Sequence, residues 1–153
     1  ARGLTPAMIL LTHAHFDHVG AVRPLADLFG LSCWLCEKEA ALPESLSDGP
    51  VYYTDTYEDG DEIPLDSLRF TVLETPGHTP GSVCLRCGDL LFTGDTLFAG
   101  SCGRTDFPGG NGAAMHASLR HLAALPGDCT VLPGHGPATT LARERQFNPY
   151  MKG

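Results

Sequence analysis

The sequence predicts a layered α/β or α+β sandwich, because helical and strand-like hydrophobic patterns are mixed along the chain. In the first part, continuous apolar runs are followed by segments whose apolar residues recur every three or four positions. From Glu62 the apolar period changes to two, which is typical of antiparallel strands with one buried face. The 153 residues fit a single domain, 1–153, that is large enough to bury a core.

The elements follow in order from these patterns. The first is a strand over 7–11, whose unbroken apolar run predicts burial on both faces. A helix follows over 22–29 and ends at Gly30, a residue that suits a left-handed helix C-terminus. The next segments are predicted as a strand at 31–35, one or two helical turns at 37–42 and an irregular stretch at 43–60. Strands are then expected at 68–72, 82–86, 90–93 and 130–132, and helices at 115–122 and 139–147.

Charge and the N-terminal segment exclude several functions. The net charge is −8 and the chain has no run of Lys or Arg, so a nucleic-acid partner is not expected. Residues 1–11 contain one Arg and an apolar run that is too short for a membrane span and unlike a signal peptide. The sequence therefore predicts a cytoplasmic protein with no membrane partner.

Two Cys-x-x-Cys pairs raise the alternative of a zinc ribbon. Both pairs, Cys33 with Cys36 and Cys84 with Cys87, lie in strand-like runs, where residues three apart point to opposite faces. A zinc ribbon is therefore disfavoured, and the six cysteines are expected to be reduced thiols in a cytosol.

Histidines and aspartates form the main chemical signal. Five of the seven histidines follow apolar strands in loops marked by Gly or Pro, a placement typical of binding groups on a rigid scaffold. The potential metal ligands are His13, His15, Asp17, His18, His78, Asp95 and His135. Imidazole and carboxylate donors suit Zn²⁺, Fe or Mn²⁺, and seven donors are too many for one tetrahedral ion. Two divalent ions that share Asp95 would use all seven and leave room for a bridging water. The other two histidines, His116 and His121, fall on a predicted helix and are interpreted as surface residues.

At these residues the chain resembles the metallo-β-lactamase-fold hydrolases, and more narrowly their glyoxalase II-like branch. The matching motifs are Thr12-His-Ala-His-Phe-Asp-His18, Pro76-Gly-His78, Gly94-Asp95-Thr96 and Pro133-Gly-His135-Gly136. The resemblance implies an αββα sandwich. It also implies that His13, His15 and His78 hold one metal and that Asp17, His18 and His135 hold the other, with Asp95 bridging. Zn²⁺ is the first expectation for both ions.

Single residues separate the branches of this family. The common class of β-lactamases places Cys where this chain has Asp95, and the di-iron flavoproteins place Glu at His15, so neither activity is expected. The loop Gly100-Ser-Cys-Gly-Arg104-Thr-Asp-Phe107 is similar to one found in both glyoxalase II-like thioesterases and persulfide dioxygenases. The form of Pro133-Gly-His135-Gly136-Pro137 favours the hydrolases.

The resemblance implies hydrolysis of a small-molecule thioester, with glutathione thioesters as the family's substrates. A hydroxide between the metals would attack the carbonyl, and Asp17 would orient it. Arg104 matches the basic residue that holds the glycine carboxylate of glutathione in glyoxalase II, but Asp106 replaces the neighbouring aromatic. A structural ion pair is the alternative role for Arg104.

A third hypothesis is a chain that binds metal without catalysis. Family members have several strands ahead of the segment that corresponds to 7–11, so the N-terminal part of the first sheet is expected to be missing from these 153 residues. The seven donors would then be supported by a thinner scaffold.

Overall fold

Two sheets lie face to face in the structure, a computed structural model that describes residues 3–152. The strands are β1 Met8–Leu10, β2 Ser32–Cys36, β3 Asp55–Tyr57, β4 Glu62–Leu65, β5 Leu68–Glu74, β6 Val83–Cys87, β7 Leu90–Gly94, β8 Leu97–Phe98, β9 Ser101–Cys102, β10 Thr130–Pro133 and β11 Thr139–Thr140. The helices are α1 Phe16–Val19, α2 Val22–Phe29, α3 Glu44–Ser47, α4 Gly112–Ala124 and α5 Leu141–Phe147. Two 3₁₀ helices cover Glu37–Ala41 and Pro149–Met151.

The two sheets differ in topology. The first has the order β1-β2-β3 with all strands parallel. The second has the order β11-β10-β7-β6-β5-β4 and is antiparallel except for the parallel pair β7 and β10. Strands β8 and β9 form a separate short hairpin.

Side chains that alternate along the strands build three apolar layers. In β2, Cys33 packs on the α2 side with Val22, whereas Cys36 belongs to the cluster between the sheets. In β7, Leu91 packs with Leu119 of α4, whereas Phe92 faces the first sheet. The layers therefore run α2, first sheet, second sheet, then α4 with α5, which confirms the predicted αββα class.

The same alternation separates the cysteine pairs. Cys33 and Cys36 lie in different apolar clusters, as expected for residues three apart in a strand. Within residues 3–152, the groups of side chains that could hold a metal ion contain no cysteine. All six cysteines are free thiols.

Strand β1 is less buried than its apolar run predicts. Met8, Ile9 and Leu10 are half-buried, and only the following Leu11 is buried. In the described part of the chain β1 pairs with β2 alone, so one of its edges carries no partner strand. The prediction of burial on both faces was therefore wrong, because an apolar run reports the composition of a strand but not its place in the sheet.

The stretch 43–60 is also more regular than predicted. It contains the single-turn helix α3 and the strand β3, whose Asp-Thr-Tyr sequence has no readable period. Strand β3 forms by parallel pairing with β2, and the buried Tyr57 hydroxyl donates a hydrogen bond to the Leu11 carbonyl. Both contacts are long-range, which explains why local pattern did not reveal the strand.

Several other elements agree with the sequence. Helix α2 covers the predicted residues and ends at Gly30 with a left-handed φ of 65°. Asn111 caps α4 by accepting from the Ala114 N–H, and Thr140 caps α5 by accepting from the Arg143 N–H. Between residues 3 and 152, no helix has both the length and the apolar character that crossing a bilayer requires.

Candidate metal centre

The ends of four strands bring the predicted site residues to one edge of the sandwich. Strands β5, β7 and β10 end at the same edge, because β6 is antiparallel to both β5 and β7 while β10 is parallel to β7. Strand β1 ends beside them, since the Val83 N–H donates to the Thr12 carbonyl at 2.9 Å. The loops that follow these strands carry the donors His13, His15, Asp17, His18, His78, Asp95 and His135.

Part of the first donor group lies on a helix that local pattern did not predict. The sequence placed these residues in a loop, but Asp17 and His18 lie on the four-residue helix α1. The His18 N–H donates to the His15 carbonyl at 2.9 Å and closes the turn. A helix of one turn is too short to give a periodic apolar pattern, which is why it was missed.

All seven donors converge. Potential ligand atoms lie within 4.8 Å of one another in three sets: His13 with His15 and His78, His13 with His18 and Asp95, and Asp17 with His18 and His135. The Asp95 carboxylate lies between the first and last of these sets. Its Oδ1 is 3.4 Å from Nε2 of His18, and its Oδ2 is 3.5 Å from Nε2 of His78 and 3.4 Å from Nε2 of His135.

The centre contains buried polar atoms that no protein group satisfies. Within residues 3–152, the buried side-chain atoms without a hydrogen-bond partner are Nε2 of His13, His15, His18 and His78 and Oδ1 of Asp95. Buried polar atoms are nearly always paired, because leaving one unpaired costs about 1–3 kcal/mol. Four unpaired imidazole nitrogens around one carboxylate fit a cation with nitrogen and oxygen ligands. The residues present therefore fit the divalent ions that the sequence predicts.

Burial and neighbours set the protonation of the centre. Burial, helped by the nearby His18, lowers the pKa of His13 to about 2, so this imidazole is neutral at pH 7 and can act as a ligand. Burial alone would raise the pKa of Asp95, but His18, whose Nε2 lies 3.4 Å from Oδ1, and the other nearby imidazoles lower it. The centre thus combines a neutral His13 imidazole with an ionised Asp95 carboxylate.

A backbone contact fixes the orientation of His78. Its Nδ1 lies 2.8 Å from the backbone carbonyl oxygen of Arg104, so Nδ1 carries the proton and donates. Nε2 is then left with its lone pair directed at the centre. This is the usual way in which a protein selects the tautomer of a metal-binding histidine. It also joins the loop 100–107 to the metal centre.

Two glycines are required by the packing of the centre, and motif reading did not identify their steric role. A Cβ on Gly134 would collide with Asp95 Oδ1 and lie 2.8 Å from Cε1 of His18. A Cβ on Gly103 would collide with the Asp95 carbonyl oxygen and lie 3.4 Å from Cγ of His78. The sequence shows only that these turns are rich in glycine. The tertiary contacts show that the space beside each glycine is filled by the ligand candidates Asp95, His18 and His78.

Arg104 is already engaged by its neighbours. Its Nε and Nη2 donate to the two carboxylate oxygens of Asp106 at 2.6 and 2.7 Å, and the guanidinium stacks on the Phe107 ring at 3.8 Å. The ion pair lowers the pKa of Asp106 to about 2. Both side chains are largely exposed, so the pair shows the alternative structural role directly, while a substrate contact stays a prediction.

Comparison with known proteins decides the family. The sequence model that describes the metallo-β-lactamase superfamily matches residues 2–135 of this chain. The matched residues include every predicted ligand. The chain belongs to the metallo-β-lactamase superfamily. This match confirms the resemblance to metallo-β-lactamase-fold hydrolases that the motifs indicated.

Among curated members of the superfamily, the chain is similar to the hydroxyacylglutathione hydrolase GloC of Haemophilus influenzae. The two are 37% identical over 159 residues, which cover 94% of this chain and 75% of GloC. The probable metallo-hydrolase YqgX of Bacillus subtilis is 39% identical over 166 residues, covering 99% of this chain and 79% of YqgX. Both of these similar proteins are named as hydrolases.

Three solved structures share the fold of this chain, but they belong to proteins of different kinds. A di-iron-bound form of TTHA1623 is 42% identical, with a TM-score of 0.84, covering 97% of this chain and 79% of that one. The B3 metallo-β-lactamase BLEG-1 is 38% identical, with a TM-score of 0.88 and coverages of 98% and 79%. ETHE1 from Myxococcus xanthus is 35% identical, with a TM-score of 0.82 and coverages of 96% and 63%.

In this metallo-β-lactamase superfamily member, a cavity of about 500 Å³ opens beside the candidate metal centre. Five of the seven ligand candidates line it, and its apolar lining is Phe16, Leu46, Phe98 and Phe107, with Arg104 beside them. The volume fits a small organic substrate. Phe16 and Leu46 are wall residues that sequence reasoning did not single out, because they lie in the short helices α1 and α3.

Proposed function

We propose that this protein is a binuclear metal-dependent hydrolase that cleaves small-molecule thioesters. The observation that carries the proposal is the convergence of four unpaired, buried imidazole nitrogens on the Asp95 carboxylate. The similarity to GloC, whose name states hydroxyacylglutathione hydrolysis, supports a thioester as the substrate. Metal-dependent hydrolysis is common in the superfamily, and the thioester is the finer part of the proposal.

The proposed ligand sets divide the seven donors between two ions. His13, His15 and His78 would hold one ion, and Asp17, His18 and His135 the other, with Asp95 between them. Two bound divalent ions would lower the pKa of a water and polarise a carbonyl group. Zn²⁺ is proposed first, while similarity to a di-iron-bound structure keeps iron, with Mn²⁺, as an alternative.

The protein side chains would orient the reactants. Asp17 would accept a hydrogen bond from the attacking water. Its place in the cavity lining, with Oδ2 3.1 Å from Nε2 of His135, supports this role. The apolar walls around Phe16 and Phe98 would hold the acyl or thiol part of the substrate and exclude bulk water. A thiolate leaves readily, so the reaction needs little help from an acid.

Arg104 is the proposed contact for a carboxylate of the substrate. Among the described residues that line the cavity, it is the one Lys or Arg. A substrate carboxylate that used the same edge of the guanidinium would have to displace Asp106, which already accepts from Nε and Nη2. Because glutathione carries carboxylates that Arg104 could bind, a glutathione thioester is the first substrate to test.

One set of assays tests the proposal. The purified chain is analysed for metal content and then assayed for hydrolysis of S-lactoylglutathione, for oxygen uptake with glutathione persulfide and for hydrolysis of a β-lactam. We expect two metal ions per chain and thioester hydrolysis that a chelator abolishes. Oxygen uptake with one iron per chain would instead establish a persulfide dioxygenase, the alternative that the similarity to ETHE1 favours.

The remaining outcomes also discriminate. β-Lactam cleavage without thioester cleavage would assign the activity suggested by the similarity to BLEG-1. A folded chain that binds metal but shows none of the three activities would establish metal binding without catalysis. Either result contradicts the proposed thioesterase.

Replacement of Asp17 by Asn tests the orienting role. The change is isosteric and the residue is exposed, so the fold should be unaffected. Because an amide is a poor acceptor for the attacking water and a poor ligand, we expect kcat to fall by about 10²–10⁴-fold, the usual contribution of a positioned base. Asp66→Asn in the β4–β5 turn, where a φ of 50° suits Asn, is the control and should have wild-type kcat. An Asp17→Asn protein with full kcat and normal metal content would show that Asp17 has no such role.

A further inference from the structure

Glu39 is a fully buried carboxylate that none of the motifs includes. It lies in the 3₁₀ helix Glu37–Ala41 and has no exposed surface. One carboxylate oxygen, Oε2, accepts from the Ala14 N–H at 2.9 Å. The other, Oε1, accepts from the Gly81 N–H at 2.7 Å. A buried charge of this kind is rare unless the surrounding groups pair with it.

The two N–H groups belong to the two loops that carry the first metal set. Ala14 lies between His13 and His15, and Gly81 lies three residues after His78. These loops come from different sheets and are separated by more than 60 residues of chain. Glu39 therefore joins, through one rigid carboxylate, the two segments whose spacing fixes the distances among His13, His15 and His78.

The surroundings hold the carboxylate in place. Burial raises the pKa of Glu39, while hydrogen bonds from Thr79 and from the backbone of Ala14 and Gly81 oppose that shift. The Thr79 and Ser82 hydroxyls lie 2.6 Å apart and stiffen the turn behind it. Gly81 leaves no space for movement, because a Cβ there would lie 2.8 Å from Oε1 of Glu39.

We propose that Glu39 is a positioning residue for the metal centre, and that it sets the geometry of the site formed by His13, His15 and His78 by clamping their two loops together. It touches neither substrate nor ion and acts through the backbone on either side of the ligands. Loss of a group that orients a metal ligand typically lowers metal affinity about 10–100-fold, and the same range is expected here. The inference rests on the metal centre that the proposed function requires, and not on the identity of the substrate.

The test measures metal binding rather than turnover. Apo-protein is titrated with Co²⁺, and both the affinity of the first equivalent and the visible absorption spectrum of the bound ion are recorded. For Glu39→Gln, which keeps the size of the side chain but turns one acceptor into a donor facing an N–H, we expect affinity to fall about 10–100-fold. The spectrum should also change, because the ligand geometry is altered. A residue with only a general structural role would not change the spectrum of the bound ion.

Two variants serve as controls. Glu37→Gln removes a charge from the exposed face of the same 3₁₀ helix and should leave affinity and spectrum unchanged. Leu122→Ala lowers stability in the apolar cluster under α4, far from the two loops, and should leave the spectrum unchanged although the protein melts earlier. Gly81→Ala perturbs the clamp from the other side while keeping the carboxylate, and should weaken binding as Glu39→Gln does.

The outcomes separate positioning from simple folding. Wild-type affinity and spectrum in both Glu39→Gln and Gly81→Ala would overturn the proposal. If neither variant folds while Leu122→Ala does, Glu39 is a structural residue and the positioning role is wrong. If Glu39→Gln alone fails to fold, Gly81→Ala decides the matter. Failure of the thioester assay with normal Co²⁺ binding would leave this inference intact and refute the proposed substrate.

Discussion

Asp95→Asn should eliminate the binuclear centre and lower the proposed thioesterase activity at least about a hundredfold, more than the 10–100-fold typical of losing a group that only orients a ligand. The carboxylate lies within 3.5 Å of imidazole nitrogens from His18, His78 and His135, so it is the one candidate placed between both metal sets. An amide has one oxygen acceptor and no charge, so at this position it would hold two cations far more weakly than a carboxylate. Metal analysis should give fewer than two ions per chain.

Thermal unfolding with and without metal provides a second readout for Asp95→Asn. An ion that binds only the folded state stabilises it by about 2.7 kcal/mol at a concentration one hundred times its Kd. We expect the wild type to show a metal-dependent rise in Tm and the variant to lose most of it, while the metal-free proteins melt at similar temperatures. Asp89→Asn, in the turn at the opposite end of β7, is the matched control and should behave as wild type. Two tightly bound ions in Asp95→Asn would refute the bridging role.

Gly134→Ala should disrupt the same centre by steric exclusion alone. The added methyl group would overlap Asp95 Oδ1 and lie 2.8 Å from Cε1 of His18 and 3.2 Å from the Gly94 carbonyl carbon. The Gly134 backbone does not lie in the left-handed region, so Ala is compatible with its conformation and the cost comes from the contacts. Two proposed ligands must shift, and a misplacement of about 1 Å in a catalytic site can cost on the order of 10²-fold in rate.

A matched glycine isolates this effect. Gly112 begins α4, and a Cβ there would be 3.7 Å from the nearest atom, Oγ1 of Thr105, an ordinary contact. Gly112→Ala should therefore keep activity and metal content and raise stability slightly, because Ala favours a helix over Gly. Kinetics, metal analysis and thermal unfolding of the two variants give the comparison. A Gly134→Ala protein with wild-type activity and two ions would show that the centre tolerates this displacement.

The donors themselves could be predicted because they lie close together in sequence or in short, Gly-marked turns. Thr12-His-Ala-His-Phe-Asp-His18 places four of them within six positions, and the other three each follow an apolar strand. The change of hydrophobic period at Glu62 likewise predicted the antiparallel strands of the second sheet. These are local features, and local features are what sequence pattern records.

The remaining features depend on contacts between distant segments. Glu39 has the sequence context of a surface glutamate, directly after two charged residues, yet it is fully buried against Ala14 and Gly81, which lie 25 and 42 positions away. Strand β3 exists because it pairs with β2, and β1 is half-buried because it lies at an edge of the described sheet. None of these facts leaves a periodic or compositional trace.

The sequence by itself therefore determined a layered α/β or α+β class and the identity of the seven metal-ligand candidates, since motif spacing and hydrophobic period are properties of short segments. The resemblance carried by the motifs added the family and its αββα arrangement. Only the tertiary structure decided that the donors share one centre around Asp95, that Gly134 and Gly103 must lack side chains, and that Arg104 is held by Asp106. It also revealed Glu39 as the link between the loops. The physical reason is that these features depend on close packing and buried hydrogen bonds between segments far apart in the chain, and such contacts are created only when the two sheets come together.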